Sequence, residues 1–381
     1  MVKINSHYSE LKREYIFPII EKKLEELPKE GIINLGIGDI ALPLSPAIGR
    51  AICEAVKKME EEPIGYGPSL GYPFLREAIA QNEYSNISSD EIFISDGANT
   101  DTANLQELFA PDTIVSIPDP TYPVYLDTTI IGGKKVHILP CTEVTRFVPE
   151  PPSFKCDVVY LCSPSNPTGV AMNYKELAAW IDYAKKYEAV LIVDNAYAAF
   201  VTSPDVPKTI YEVPGARDVA IECKSFSKTG GFTGLRCAYS VVPKSVYNLH
   251  PLWVKRQNIK SNGVSYPIQK GAEACYTIEG KKQIKAQVRS YLKQAKYLFE
   301  NLKKLGFSCY GGTDSPYIWW ETPRGLKSWE FFDLLLKECR IISIPGVGFG
   351  KNGEGYIRLS AFTTEEKAFE AISRISCAKL N

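Results

Sequence analysis

Only three histidines, His7, His137 and His250, occur in 381 residues, and they stand far apart. The ten cysteines are scattered, with no Cys-x-x-Cys spacing. Such a distribution suggests neither a zinc site nor a disulfide framework, so no metal is expected. Surplus charge is missing as well, because Lys plus Arg equals Asp plus Glu at 44 each. Nucleic-acid and anionic-membrane binders carry a basic excess, so neither partner is expected. No apolar run approaches the roughly 20 residues needed to cross a bilayer. Met1 to Leu27 is charged throughout, lacks the apolar stretch of a secretory signal and is too acidic for a transit peptide. A cytoplasmic protein with reduced thiols is the expectation. A chain of this length buries a large core and is long enough for two domains.

What is there is an alternation of strand and helix patterns, as a mostly parallel sheet flanked by helices requires. Strands are expected at 91–95, 113–117, 135–139, 157–161, 189–193, 218–223 and 237–242. Asn173 and Glu176 form a capping box ahead of Leu177, Trp180, Ile181 and Ala184, which share one helical face. Ser45-Pro46 reads as N-cap and first residue of a helix to about Met59. Beyond residue 270 the pattern becomes a long amphipathic helix, carrying Ile284, Val288, Leu292, Ala295, Leu298 and Leu302 and stopping near Gly306. A smaller α+β domain is expected there, with alternating stretches at 308–321 and 356–362 and a helix near 328–339.

The segment Ser225-Phe226-Ser227-Lys228-Thr229-Gly230-Gly231-Phe232-Thr233-Gly234-Leu235-Arg236 sets one lysine among hydroxyls, glycines and an arginine. Alone, a lysine in such a loop is an ordinary solvated residue. It gains meaning from Asp194-Asn195-Ala196-Tyr197, after the apolar run Val190–Val193, and from Ser163-Pro164-Ser165-Asn166-Pro167-Thr168-Gly169, after the buried-strand pattern Cys156–Cys162. Together these are the groups that hold pyridoxal phosphate. Its aldehyde needs an amine, for which Lys228 is the candidate. Its phosphate needs a guanidinium fork and hydroxyl donors, met by Arg236, Ser225 and Ser227. Its ring nitrogen needs a carboxylate to stay protonated, and Asp194 at a strand end fits that role. Tyr197 and Asn166 are expected at the ring oxygen. The backbone amides of Ala98 and Asn99, ahead of a helix expected to start near Thr100, suit the phosphate.

The order of these motifs resembles the fold-type I, pyridoxal phosphate-dependent, aspartate aminotransferase-like enzymes over nearly the whole chain. Within that class the chain is most similar to the LL-diaminopimelate aminotransferases. That likeness is carried by Tyr15-Ile16-Phe17-Pro18, Asn34-Leu35-Gly36-Ile37-Gly38-Asp39, Ser95-Asp96-Gly97-Ala98, Phe226 to Arg236, Asn262-Gly263-Val264-Ser265 and Pro345-Gly346-Val347-Gly348-Phe349-Gly350. The resemblance implies a large cofactor-binding domain at 41–270 and a small domain made of 1–40 and 271–381. It places Tyr122 as the residue stacked on the pyridine ring and Arg358 on the substrate carboxylate. It adds substrate contacts from Tyr15, Gly38, Asn166, Tyr122 and Asn262, with Tyr66 and Asn262 reaching in from the second subunit of a homodimer.

The implied reaction exchanges amino groups between LL-diaminopimelate and 2-oxoglutarate, giving tetrahydrodipicolinate and glutamate in the lysine biosynthetic direction or its reverse. Two departures bear on it. The family usually has lysine where Asn99 stands and an acidic residue where Ser69 stands, the acid being expected to pair with the distal ammonium of the substrate. Glu83, Glu61 and Glu62 are alternative acids. An aminotransferase for another amino acid, aromatic or lysine, and a carbon–sulfur lyase therefore remain open as readings.

Overall fold

The structure, a computed structural model, describes residues 2–11, 16–25, 30–378 and 380. Its centre is a seven-stranded sheet in the order Ile92–Ser95, Ala238–Val241, Ala220–Ser225, Val190–Asp194, Val158–Cys162, Ile114–Asp119, Lys135–Pro140. Every residue of the three strands Val158–Cys162, Val190–Asp194 and Ala220–Ser225 is buried, which accounts for the apolar runs Val158–Cys162 and Val190–Val193, while Ala220–Ser225 buries Glu222 and Lys224 among its apolar residues. Ala238–Val241 pairs antiparallel with both neighbours, and the remaining pairings are parallel. The expected strands thus appear within two residues at each end.

The helix Tyr174–Tyr187 starts at the expected capping box, with Asn173 Oδ1 accepting from Glu176 N at 3.0 Å and Glu176 Oε2 accepting from Asn173 N at 2.8 Å. Its inner face packs Leu177, Trp180, Ile181 and Ala184 on the sheet. Pro46 opens the helix Pro46–Glu61, two residues longer than expected. The helix after the first strand begins at Ala98, not near Thr100, with Gly97 as its cap. The first helical bond runs from Asp101 N to Gly97 O at 3.0 Å.

A second sheet, Ile344–Pro345, Tyr356–Ser360, Tyr317–Glu321 and Cys309–Gly311, is antiparallel. Helices Ser328–Cys339, Glu365–Cys377 and the carboxyl-terminal half of Ile278–Lys304 pack on it around Leu298, Leu302, Trp320, Phe331 and Leu335. That long helix ends two residues before Gly306, whose φ of +88° suits glycine alone. The amino-terminal residues Ile33–Asn34 join this unit by pairing in parallel with Ile341–Ile342. The segment that follows, Leu35 to Asp39, is thereby carried to the carboxyl ends of the large sheet.

Candidate active site

Asp119, Cys162, Asp194 and Ser225 each close a parallel strand, so their side chains and the loops after them meet at one edge of the sheet. A pocket opens there against the second sheet. It is lined by Lys228, Asp194, Tyr197, Asn166, Ser225, Ser227, Arg236, Tyr122, Ala98, Asn99, Gly38 and Arg358, and by Ile37, Asp39, Tyr125, Cys162, Ala196, Thr233 and Tyr317.

Lys228 sits in the one-turn helix Phe226–Thr229, whose cap Ser225 accepts from Ser227 N at 3.0 Å. The turn throws Nζ across the pocket, where it donates to Gly38 O and stands 5.6 Å from the Phe362 ring centroid. Burial brings the amine down to about 8; Asp39 opposes the fall, and the positive Arg358 and Arg236 assist it. About one amine in ten is then unprotonated at pH 7, a useful reservoir for a group that must act as nucleophile and base.

Asp194 is buried, with Tyr125 Oη donating to Oδ2 and Ala196 N donating to Oδ1 at 3.1 Å. Desolvation raises its pKa, only partly offset by those hydrogen bonds. Among the described residues no Lys, Arg or His forms an ion pair with it. A buried carboxylate without a cation is costly, a cost that a cationic group of a bound ligand would offset.

Arg236 adopts a left-handed backbone, φ +62°, which aims its guanidinium at the first turn of the helix Ala98–Asn104. A Cβ on Gly97 would lie 2.4 Å from its Nη2, so only glycine leaves room for this approach. Guanidinium, the Ser225 and Ser227 hydroxyls and the first helical amides form a cradle for a dianion.

Arg358, in the strand Tyr356–Ser360, is 1% exposed. Its Nη1 donates to Asn166 Oδ1 at 2.6 Å and its Nη2 to Gly36 O at 2.7 Å. Its face lies 4.4 Å from the Tyr317 ring and 4.9 Å from that of Phe349. Nε has no partner among the described residues. A buried guanidinium with donors to spare and, among the described residues, no carboxylate in an ion pair can take up an anion.

Two expected site residues stand elsewhere, and Tyr15 lies outside the described residues. Tyr66 is 92% exposed and Asn262 is exposed; neither lines this pocket. Their loops touch each other, since a Cβ on Gly263 would be 2.8 Å from Pro68 O. In the same loop Ser69 donates to Asn258 Oδ1 at 2.5 Å. The alternative acids are not in the pocket either: Glu83 pairs with Lys224 at 3.2 Å, Glu62 with Lys58 at 3.6 Å, and Glu61 is on the exposed end of its helix. Asp39 is the carboxylate that does line it beside Asp194.

Reading the sequence missed Tyr125, Tyr317, Asp39 and Phe362. Tyr125 had a local signal, one helical turn after Tyr122 in the helix Pro123–Ile131. Tyr317 had none, because only the packing of the two sheets brings it 2.8 Å from Tyr197, oxygen to oxygen.

A pocket pairing a desolvated lysine with a lone buried carboxylate and two arginines, on a mixed sheet of this order, defines a pyridoxal phosphate-type aminotransferase site. The family model for aminotransferase class I and II matches residues 30–375, and the chain belongs to that family. It is 45% identical to an LL-diaminopimelate aminotransferase of Methanosphaera stadtmanae and 46% identical to one of Desulforapulum autotrophicum, each over 98% of both chains. The solved LL-diaminopimelate aminotransferase of Chlamydomonas reinhardtii superposes with a TM-score of 0.94 at 38% identity, covering 99% of this chain and 98% of that one.

Proposed function

We propose that this chain is a pyridoxal phosphate-dependent aminotransferase that interconverts LL-diaminopimelate and tetrahydrodipicolinate, with 2-oxoglutarate and glutamate as the second pair. The observation that carries it is the convergence of Lys228, Asp194, Arg236 and Arg358 on one pocket, with Asp194 and Arg358 both buried and, among the described residues, in no ion pair. The full-length likeness to LL-diaminopimelate aminotransferases supplies the substrate.

When bound, the cofactor supplies an aldehyde that takes up the amino group and a ring that draws electrons from the substrate's α-carbon. Arg236, Ser225, Ser227 and the amides of Ala98 and Asn99 would hold its phosphate. Asp194, held in place by Tyr125, would pair with the ring nitrogen. Tyr197 and Asn166 would donate to the ring oxygen, and Tyr122 would supply a stacking surface. Arg358 takes the α-carboxylate of the substrate, beside Gly38 and Tyr15. With the substrate so oriented, the Lys228 amine would be the group that takes up the α-proton and holds it for return. Nζ donates to the Gly38 carbonyl, which holds it at the pocket.

Tyr66 and Asn262 enter the pocket of a second copy in a homodimer. The support is their placement together on an exposed face away from their own pocket. The cofactor unit spans 41–270 and the smaller unit 1–40 with 271–381, in a cytoplasmic enzyme.

The test is a half-reaction screen. Absorbance of the cofactor-loaded protein is followed on mixing with LL-, meso- and DD-diaminopimelate, lysine, glutamate and aromatic amino acids. Conversion is expected with LL-diaminopimelate and with glutamate. The second reading, an aminotransferase for an aromatic amino acid, is favoured by Ser69, which binds Asn258 and brings no acid to the substrate's distal ammonium. Conversion by aromatic donors alone would establish it and dismiss the first.

A further inference from the structure

Tyr317 belongs to the second sheet, in the strand Tyr317–Glu321, yet its side chain ends inside the pocket of the first. It is 1% exposed, and its oxygen lies 2.8 Å from that of Tyr197, with the rings edge-on at 72°. Among the described residues each phenol is the other's only hydrogen-bond partner. On its other side the Tyr317 ring lies 4.4 Å beneath the Arg358 guanidinium carbon. The chain makes room for this oxygen at Gly38, where a Cβ would come within 2.3 Å of it.

Two phenols joined by one hydrogen bond have two protons, and only one lies between them. Which oxygen donates is decided by relative acidity. A cation on a ring face draws electron density from the phenol, and Arg358 sits on the Tyr317 ring. Both tyrosines are held above their ordinary range by burial, and Arg358 opposes that rise at each. With the guanidinium on its ring face, Tyr317 is the better placed of the two to donate.

We propose that Tyr317 is a positioning residue with two separable parts: its hydroxyl donates to Tyr197 and so directs the Tyr197 proton into the pocket, while its ring face orients Arg358 for the substrate carboxylate. This rests on the reading that Tyr197 donates to the ring oxygen of pyridoxal phosphate. One side chain from the smaller sheet then sets both the cofactor's ring oxygen donor and the substrate clamp. The hydroxyl lowers the pH at which the bound cofactor loses its proton, because a better-oriented donor favours the deprotonated oxygen.

The experiment compares pyridoxal phosphate-loaded wild type, Tyr317→Phe, Tyr197→Phe, the double variant and Tyr317→Leu. The visible absorbance is titrated against pH, and KM is measured for the amino donor. Tyr317→Phe should raise the spectral midpoint by about half a pH unit or more, with KM within about twofold of wild type because the ring remains. Tyr317→Leu should raise the midpoint equally and KM about tenfold, as the ring contact is lost. In the Tyr197→Phe background, Tyr317→Phe should add no further shift. An unchanged midpoint in Tyr317→Phe, or an equal shift in the Tyr197→Phe background, overturns the hydroxyl's role. An equal rise of KM in the Phe and Leu variants overturns the ring's role. A wild type that gains no visible band with pyridoxal phosphate sinks the cofactor reading and this inference together.

Discussion

Replacing Gly97 by alanine separates cofactor binding from folding. The backbone there is extended, φ 165° and ψ 142°, a conformation any residue adopts, so the added methyl strains no dihedral. It would, however, stand 2.4 Å from Arg236 Nη2 and 3.4 Å from Cζ, with Thr100 Oγ1 next at 3.8 Å. Ordinary carbon–nitrogen contact needs about 3.5 Å, so the guanidinium must retreat by about 1 Å. Its local tether, Nη1 to Thr233 O at 3.2 Å, is weak enough to allow this. Folding should hardly suffer. Phosphate binding should, since a charge-assisted hydrogen bond at this site is worth roughly 1.5–3 kcal/mol. That is about a 10- to 150-fold weaker dissociation constant for pyridoxal phosphate. Pyridoxal, which lacks the phosphate, should lose much less. The assay is a fluorescence titration of ligand-free Gly97→Ala and wild type with both compounds, beside their thermal midpoints. Equal affinity of the two proteins for pyridoxal phosphate would refute the assignment of Arg236 to the phosphate. An equal loss for pyridoxal would show a general disturbance of the pocket instead.

Lys228 also makes a pH prediction for the ligand-free protein. Its folded pKa, about 8, is below the ordinary 10.5, so the folded state disfavours its proton. The stability it contributes is present above pH 10.5 and is lost as pH falls toward 8. Lys228→Met should therefore be more stable than wild type at pH 7, by at most about 3 kcal/mol. The gap should narrow between pH 8 and 10.5 in urea titrations; a constant gap would contradict the shift. Arg358→Lys keeps the charge but loses the planar fork, and should reduce kcat/KM by about 10- to 150-fold, measured with the preferred amino donor. Behind the sheet, Glu222 is fully buried and accepts from Tyr84 Oη at 2.7 Å, Asn195 Nδ2 at 2.9 Å, and Thr209 Oγ1 and Ile210 N at 3.0 Å each. Glu222→Ala leaves four donors without their acceptor and removes a negative charge that favours the buried Lys224 ammonium, and should cost about 3–5 kcal/mol in denaturant unfolding.

Tyr66 and Tyr317 mark the limits of what local pattern reveals. Both are tyrosines flanked by ordinary loop and strand residues, and nothing near either distinguishes an exposed side chain from a buried one. Tyr66 was expected from family likeness, and in the single chain it stands out in solvent. Tyr317 was not expected at all, because its role depends on where the second sheet meets the first. The antiparallel strand Ala238–Val241 was likewise unmarked, since direction leaves no trace in a four-residue apolar run. The early helix start at Ala98 was hidden by a cap whose side chain is a single hydrogen.

By itself the sequence determined the strand and helix succession, the family and the chemical types gathered for a phosphate, an aldehyde and a ring nitrogen. Period, capping and motif order are properties of neighbouring residues, so they survive without coordinates. Tertiary structure alone decided which of those groups are desolvated and which are left without an opposite charge. Among the described residues Asp194 has no cation and Arg358 no carboxylate in an ion pair, and Lys228 is brought to about 8 because segments as distant as 36–39, 194–197 and 358–362 exclude water from the same space. Burial and charge pairing depend on everything that packs around a group, and that is information no short stretch of chain contains.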